Sequence, residues 1–426
     1  MNSGNPEARP GVAETGGSAG AALTVAVAGG GLGGLCLAQS LAQAGIDVQV
    51  YERDPEPFAR RQGYRITVDR YGRAALQQCL PARLSELAAA VAGAPGGYFR
   101  FTNKDLRDAF KLTFKADPAG GGQMDRQTLR AILLIGLEDR VHYGRHATGV
   151  TEGPDAATLH FADGTSVTAS VVVGADGSSS LLRAQVLPDH EPADTGSMAL
   201  YGRTPLLVGG RPLMPPALGK SGVLAIGDEP GHAVFFTAMQ FGEPPADAFA
   251  RLAPGYQPPD GSDYVMWGLV FPARQNPPGE PDQAALHQQA IALTRQFHPA
   301  IREIVAHAEP GYTLGASFAL AQRPRSWPMS RATLIGDAVH VMPPFGAHGG
   351  NTALRDAVLL AGKLRQAALG GSTAAALAEY QREMTGYAFE AVESAAKSMR
   401  RLTVGSRLQR WFLLRMLPRL HPVTVS

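Results

Sequence analysis

The sequence predicts an α/β fold in which a parallel-sheet unit is interrupted by an inserted, mostly antiparallel β-sheet unit and closed by C-terminal helices. Three observations predict it. An apolar, β-branched run from Leu23 to Ala28 meets Gly29-Gly30-Gly31-Leu32-Gly33-Gly34 and then an apolar helical pattern. Two later apolar runs end in the same kind of punctuation, at Gly174-Ala175-Asp176-Gly177 and at Gly336-Asp337. Between those two, residues 190 to 310 become rich in proline and alternate strand-like runs with loops.

The first stretch carries the most information. Leu35, Leu37, Ala38, Leu41 and Ala42 give the helix its apolar face, and Gly45 stops it. A second strand, Val48 to Tyr51, ends at Glu52, 23 residues after Gly29. Gly29, Gly31 and Gly34 have the G-x-G-x-x-G spacing of a Rossmann-like dinucleotide fold. Gly29 permits the tight turn, Gly31 has no Cβ to hold the backbone off a pyrophosphate, and Gly34 lets helix and strand pack closely. The helix start directs unpaired N–H groups at the phosphates. Glu52 can accept hydrogen bonds from both ribose hydroxyls, which favours a free 2′-hydroxyl, as in FAD or NAD, over NADP. Residues 21 to 38 are apolar enough to resemble a short membrane span, but the central glycines and the acid after the second strand argue against one.

Composition bounds the rest. The 426 residues are 45% hydrophobic and 18% charged, as in ordinary globular proteins. A net charge of +2 predicts no strong field for nucleic acid or an acidic membrane. Cys36 and Cys79 have neither C-x-x-C nor metal-ligand spacing, so no metal site and a reducing cytoplasm are expected. Residues 1 to 20 lack an apolar core and read as a disordered leader. No Ser-His-Asp order with a nucleophile elbow, H-E-x-x-H, Walker A or second G-x-G-x-x-G occurs.

In chain order, 54 to 63 reads as a basic loop, Tyr64 to Val68 as a short strand, and 72 to 79 and 83 to 92 as helices. Tyr98 to Thr102 and Phe110 to Phe114 alternate like paired strands. Asp125 is a plausible cap for the helix carrying Leu129, Ile132 and Leu133. Val141 to Thr151 reads as one extended run, 158 to 168 as a hairpin, Val171 to Gly174 as a buried strand and Ser178 to Arg183 as the start of a helix. Strands are expected at 199–207, 223–226, 233–239, 264–271, 316–320 and 332–335, and helices at 283–296, 299–306, 350–364 and 374–399. The tail from Met399 to Leu420 mixes six arginines with apolar residues and reads as a closing helix, or alternatively as a basic amphipathic surface for membrane or partner.

VVVGADGSSSLLR resembles the DG motif of the group A flavoprotein monooxygenases, and LIGDAVHVMPPFGAHGGNTALRDAVLLAGKL resembles their GD motif. That family includes para-hydroxybenzoate hydroxylase, the tetracycline-inactivating hydroxylases and polyketide hydroxylases. The three motifs occur in the family's order, and the resemblance spans roughly residues 22 to 400. It implies the para-hydroxybenzoate hydroxylase fold, with FAD bound by 21–72, 115–188 and 314–370, a substrate domain of 73–114 and 189–313, and C-terminal helices over 371–426. The cofactor residues implied are Gly29, Gly31, Gly33, Gly34, Glu52, Arg53, Arg126, Asp176, Gly177, Asp337, Pro344, Gly349, Gly350 and Asn351.

The resemblance assigns no catalytic residue. Pro344, His348 and Gly349 are candidates to line the flavin, whereas His340 reads as a structural histidine. His348 stands where the family often has glutamine. A helix start near Asn351 would stabilise negative charge near flavin N1 and O2. The activity implied is FAD-dependent monooxygenation through a flavin C4a-hydroperoxide, with NAD(P)H as a transient co-substrate, O₂, and an aromatic or polyketide-like small molecule. Alternatives are epoxidation, Baeyer–Villiger insertion or dehydrogenation on the same fold, or a non-catalytic flavin-binding protein. A monomer or homodimer without stable membrane insertion is expected. Tyr201, Arg203 and His232 lie on or beside strands of the inserted sheet, and none is singled out as a base.

Overall fold

The computed structural model describes residues 22–60, 63–114, 122–215, 218, 222–276, 279, 281–402 and 423–425. The leader expected at 1–20 and the tail from 403 to 420 lie outside the described residues.

The run that opens the motif forms the strand Thr24–Ala28 at the centre of a five-stranded parallel sheet. Its neighbours are Asp47–Tyr51 and then Val141–His142 on one side, and Val171–Gly174 and then Ala332–Leu334 on the other. Val25, Ala26, Val27 and Ala28 are all buried, as continuous apolar runs are when both faces of a parallel sheet are covered. Helix Leu32–Gln43 lies against helix His348–Ala368. This joins the first motif to the last across more than 300 residues of chain.

Helix Arg70–Cys79 is capped by Asp69, whose side chain accepts from the Tyr71 and Gly72 N–H groups. Its buried Leu76 and Cys79 join the core of the parallel sheet, as do Leu84, Leu87 and Val91 of helix Ala82–Val91. Helix Arg70–Cys79 therefore packs with helices Leu32–Gln43 and His348–Ala368 of the nucleotide unit, whereas helix Ala82–Val91 also packs against helix Pro245–Leu252 of the inserted region. From this stretch only Tyr98–Asn103 and Asp108–Phe114 enter the second sheet.

The second sheet has eight strands, in the order Leu314–Leu320, Ala193–Pro205, Tyr264–Pro272, Ala233–Met239, Gly222–Ile226, Tyr98–Asn103, Asp108–Phe114 and Val423–Val425. It is antiparallel except where Gly222–Ile226 meets Tyr98–Asn103 and where Val423–Val425 meets Asp108–Phe114. Period-two alternation divides its faces. Val265, Trp267, Leu269 and Phe271 pack with Phe297, Ile301, Ile304 and Val305 of the covering helical segment. On the opposite face Tyr264 and Met266 gather with Tyr201, Met239, Leu314 and Tyr64. That second face turns toward the nucleotide unit.

Two local expectations are corrected. Val141 to Thr151 is not one strand: Gly144, at φ 71°, turns the chain. Val141–His142 therefore stays in the parallel sheet, while Ala147–Glu152 starts a separate three-stranded antiparallel sheet. Ser178 to Arg183 is not the start of a helix either, since the helical turn is Arg183–Val186. The preceding residues wrap around Asp176, whose Oδ2 accepts from the Leu181 N–H at 3.0 Å.

Candidate active site

A cleft of about 730 Å³ opens where the parallel strands end, and it reaches across to the large sheet. Its walls include Ala28, Tyr51, Ala175 and Ile335 from the strand ends, the position at which α/β sheets bind ligands. Gly29, Gly31, Gly33, Gly34, Glu52, Arg53, Arg126, Asp176, Gly177, Asp337, Pro344, Gly349 and Gly350 all line it.

Each glycine of the first motif has a distinct steric reason. Gly29 has a φ of 111°, and a Cβ there would strike the Ala175 carbonyl. A Cβ on Gly34 would strike the Gly29 carbonyl oxygen. A Cβ on Gly31 would meet no protein atom within 4 Å, because it would project into open cleft. The close packing and the ligand cradle are thus separate demands, on Gly34 and Gly31 respectively.

Glu52 is buried at the cleft edge. Its carboxylate accepts from the Gly30 N–H at 2.7 Å and the Asp54 N–H at 3.0 Å, one bond per oxygen. Each oxygen retains acceptor capacity, so the bonds that fix the carboxylate leave room for ribose hydroxyls. Behind it, the buried Arg130 donates from Nε to the Gly30 carbonyl at 2.8 Å and from Nη1 to the Pro57 carbonyl. Burial lowers the pKa of Arg130, and Glu52 works against that shift.

Arg126 begins helix Arg126–Leu134, which Asp125 caps by accepting from the Thr128 N–H at 2.8 Å. Its Nε is buried with no hydrogen-bond partner. Burial lowers its pKa, and the carboxylate of Asp337 opposes that. Asp337 stands exposed to the cleft just after Gly336, whose φ is 62°. Asp176 is the complement of Arg126: its Oδ1 is buried without a partner, and burial raises its pKa. An open glycine cradle, an unpartnered guanidinium N–H and carboxylates at two strand ends fit the pyrophosphate, ribose and ribityl groups of an FAD.

The turn before helix His348–Ala368 is held under strain. Gly346 and Ala347 have φ of 94° and 57°, and a left-handed alanine is costly where glycine is not. Asn351 fixes the turn by donating to the Ala347 and Thr67 carbonyls, both at 2.8 Å, and accepting from the Asp69 N–H at 3.0 Å. Asn351 is buried and is not among the residues lining the cleft; its side chain holds the loop that forms the wall. His348 is also off the wall; its Nε2 lies 3.5 Å from the Ser394 hydroxyl, and burial lowers its pKa.

His340 is buried, as a structural histidine would be. Its Nε2 is 2.6 Å from Asp356 Oδ2, which also accepts from the Gly336 N–H at 2.9 Å. Asp356 Oδ1 accepts from the Tyr387 hydroxyl at 2.7 Å. One buried carboxylate thus ties the GD turn to helix Thr373–Leu402.

Of the three residues noted on the inserted sheet, Tyr201 lines the cleft. Arg203 is buried against Asp260, with its guanidinium over the rings of Tyr264 and Tyr312. His232 is buried at 2.8 Å from Gln275 Oε1 and off the cleft wall. The sequence reading missed Tyr64, Arg65, Met266, Gln283 and Ser317, all of which line the cleft. The only signal for Arg65 was a charged residue inside the short strand expected after the basic loop.

Comparison with known proteins agrees with this geometry. Residues 282–395 match the FAD binding domain family, and residues 27–75 match the NAD(P)-binding Rossmann-like domain family. The 3-amino-4-hydroxybenzoate 2-monooxygenase PtmB3 of Streptomyces platensis is 30% identical over 356 residues, which are 81% of this chain and 80% of that protein. The dual O-methyltransferase/FAD-dependent monooxygenase CTB3 of Cercospora beticola is 30% identical over 364 residues, 79% of this chain. The match takes in 41% of CTB3, so the chain spans about two fifths of that relative's length. HpxO of Klebsiella pneumoniae, solved with FAD and uric acid, shares the fold with a TM-score of 0.72 at 21% identity, covering 93% of each chain. The chain belongs to the FAD-dependent monooxygenase family.

Proposed function

We propose that this protein uses NAD(P)H and O₂ to hydroxylate an aromatic or polyketide-like small molecule. One observation carries the reading. The cleft that begins at the glycine cradle continues without a break to the inner face of the large sheet, where Tyr201, Met266, Leu314 and Phe318 form a wall suited to a flat apolar ring. A bound FAD supplies the redox chemistry, taking a hydride from the nicotinamide and activating dioxygen.

The chain's own residues bind, orient and exclude water. Gly31 and the start of helix Leu32–Gln43 receive the pyrophosphate, Glu52 the ribose, and Asp337 with Arg126 the middle of the cofactor. Gly349 and Gly350 present the start of helix His348–Ala368 to the ring, where its positive end favours negative charge. Pro344 and the sheet wall keep water from the reacting face, which strengthens every electrostatic contact inside. The single G-x-G-x-x-G supports a nicotinamide that visits rather than resides. We assign 21–72, 115–188 and 314–370 to the cofactor unit, and helix 70–79 with them. The remaining sheet belongs to the substrate unit.

Oxidation of NADH and NADPH by the FAD-loaded protein, followed with and without a panel of phenols and polycyclic aromatics while peroxide is tracked, tests the reading. Strong stimulation by one compound class with little peroxide is expected. Slow oxidation unaffected by every compound would contradict it.

A further inference from the structure

Of the arginines that line the cleft, Arg126 and Arg65 keep different company. Arg126 stands among the charges of Asp337, Arg130 and Arg60, on the nucleotide side. Arg65 stands on the sheet side. Its strand, Arg65–Thr67, pairs with Gln123–Asp125, and its electrostatic neighbour is the Tyr264 hydroxyl.

The Arg65 side chain is held but not neutralised. Nε donates to Gln123 Oε1 at 2.9 Å. The carboxylate of Asp125, opposite in register, is already engaged: Oδ1 accepts from the N–H and hydroxyl of Thr128, and Oδ2 from the Tyr264 hydroxyl at 2.8 Å. Among the described residues no carboxylate pairs with Arg65, and its Nη atoms have no hydrogen-bond partner. Burial pulls its pKa down to about 10, so it remains a cation at neutral pH. Arg65 is half-buried on the cleft wall; a partly desolvated guanidinium without a counter-charge carries a cost, and a ligand anion removes it. Tyr64, Tyr201 and Met266 line the same cleft and cluster with Tyr264, the residue that acts electrostatically on Arg65. The Tyr201 hydroxyl has no protein partner among the described residues, and burial raises its pKa, leaving it a neutral donor.

We propose that Arg65 is the specificity-determining residue that holds an anionic oxygen of the substrate (a phenolate, enolate or carboxylate) against the aromatic wall of the large sheet, with Tyr201 as a second donor. The proposal rests on the reading of the cleft as a monooxygenase site and names the substrate chemistry it selects. The planar fork of Arg65, steered by Gln123, presents its two remaining nitrogens to an oxygen pair, the geometry in which arginine outperforms lysine.

The test is calorimetric titration of the full-length protein with 1-hydroxy-2-naphthoate and with its neutral methyl ester, together with FAD, for wild type, Arg65→Gln and Arg65→Lys. Wild type is expected to bind the anion about tenfold or more tighter than the ester, equivalent to about 1.4 kcal/mol. Arg65→Gln loses the preference at unchanged FAD affinity, and Arg65→Lys keeps part of it. Equal binding of the two compounds by wild type, binding of neither, or a preference that survives in Arg65→Gln overturns the proposal. So does weakened FAD binding in Arg65→Gln, which would move the residue to the cofactor. A wild-type protein that binds no FAD but keeps the anion preference would overturn the cofactor reading and leave the role of Arg65 supported.

Discussion

At the scale of single residues, the two glycines at the head of the first helix do different jobs, and substitutions separate them. Gly31 has an ordinary φ of −78°, and its missing Cβ faces open cleft. Gly31→Val is expected to fold, with a capping cost on the order of 1 kcal/mol, and to bind FAD at least about 100-fold more weakly. Gly34→Ala drives a methyl into the Gly29 carbonyl and is expected to lower stability by about 1–3 kcal/mol. Denaturant melts and flavin content of the two purified variants check both. A yellow, active Gly31→Val protein would count against the assignment of the cleft. Gly34 was legible in the sequence because the Gly29 carbonyl, five residues away, sets its steric demand, and Gly31 because its spacing from Gly29 and Gly34 marks a ligand cradle. Arg65 was not, because its place on the wall depends on pairing with a strand 58 residues further on.

At the scale of elements, the GD turn depends on the helices packed behind it. Asp356 receives His340, the Gly336 N–H and Tyr387 with no exposure to solvent. Asp356→Ala is expected to cost about 3–5 kcal/mol, because it strands buried partners, and to weaken FAD binding through the loosened turn. The same network sets a pH dependence. Burial opposes charge on His340, but the carboxylate of Asp356, its hydrogen bond and Asp337 outweigh it and raise the pKa. A raised folded pKa contributes stability that is fully present below the unfolded value of about 6.5 and is lost as pH rises through the folded value. The melting-temperature gap between wild type and His340→Gln should therefore narrow as pH is taken above about 6.5; a gap constant with pH would show that folding leaves the His340 pKa unshifted. The strand–glycine–acid pattern around residues 332 to 337 announced this element. The turn over Ser178 to Leu182 did not announce itself, because the side chain of Asp176 reaches forward to cap N–H groups five residues on, which overrides the helical composition there.

At the scale of the whole molecule, the cleft exists because one parallel sheet and one face of a large, mostly antiparallel sheet share a boundary. The alternation of Tyr264 and Met266 against Val265 and Trp267 fixes which face meets the cofactor unit and which is covered by helices. That alternation was visible in the sequence, as was the insertion. The packing of helix 70–79 on the nucleotide side was not, since amphipathic spacing shows that a face is buried but not against what. Because cofactor binding draws on residues from distant parts of the chain, FAD should stabilise the whole fold. At a concentration about 100 times its dissociation constant the gain is about 2.7 kcal/mol, seen as a melting temperature raised by about 3 °C. The central claim is that oxygen from O₂ enters an organic substrate held in this cleft. The most direct measurement is turnover of the FAD-loaded protein with NAD(P)H under oxygen-18 gas, using the aromatic compound that most stimulates reductant oxidation, followed by mass spectrometry of the product. A product carrying a single oxygen-18 atom is the expected result; label found only in peroxide or water, with the aromatic compound returned unchanged, would contradict the account.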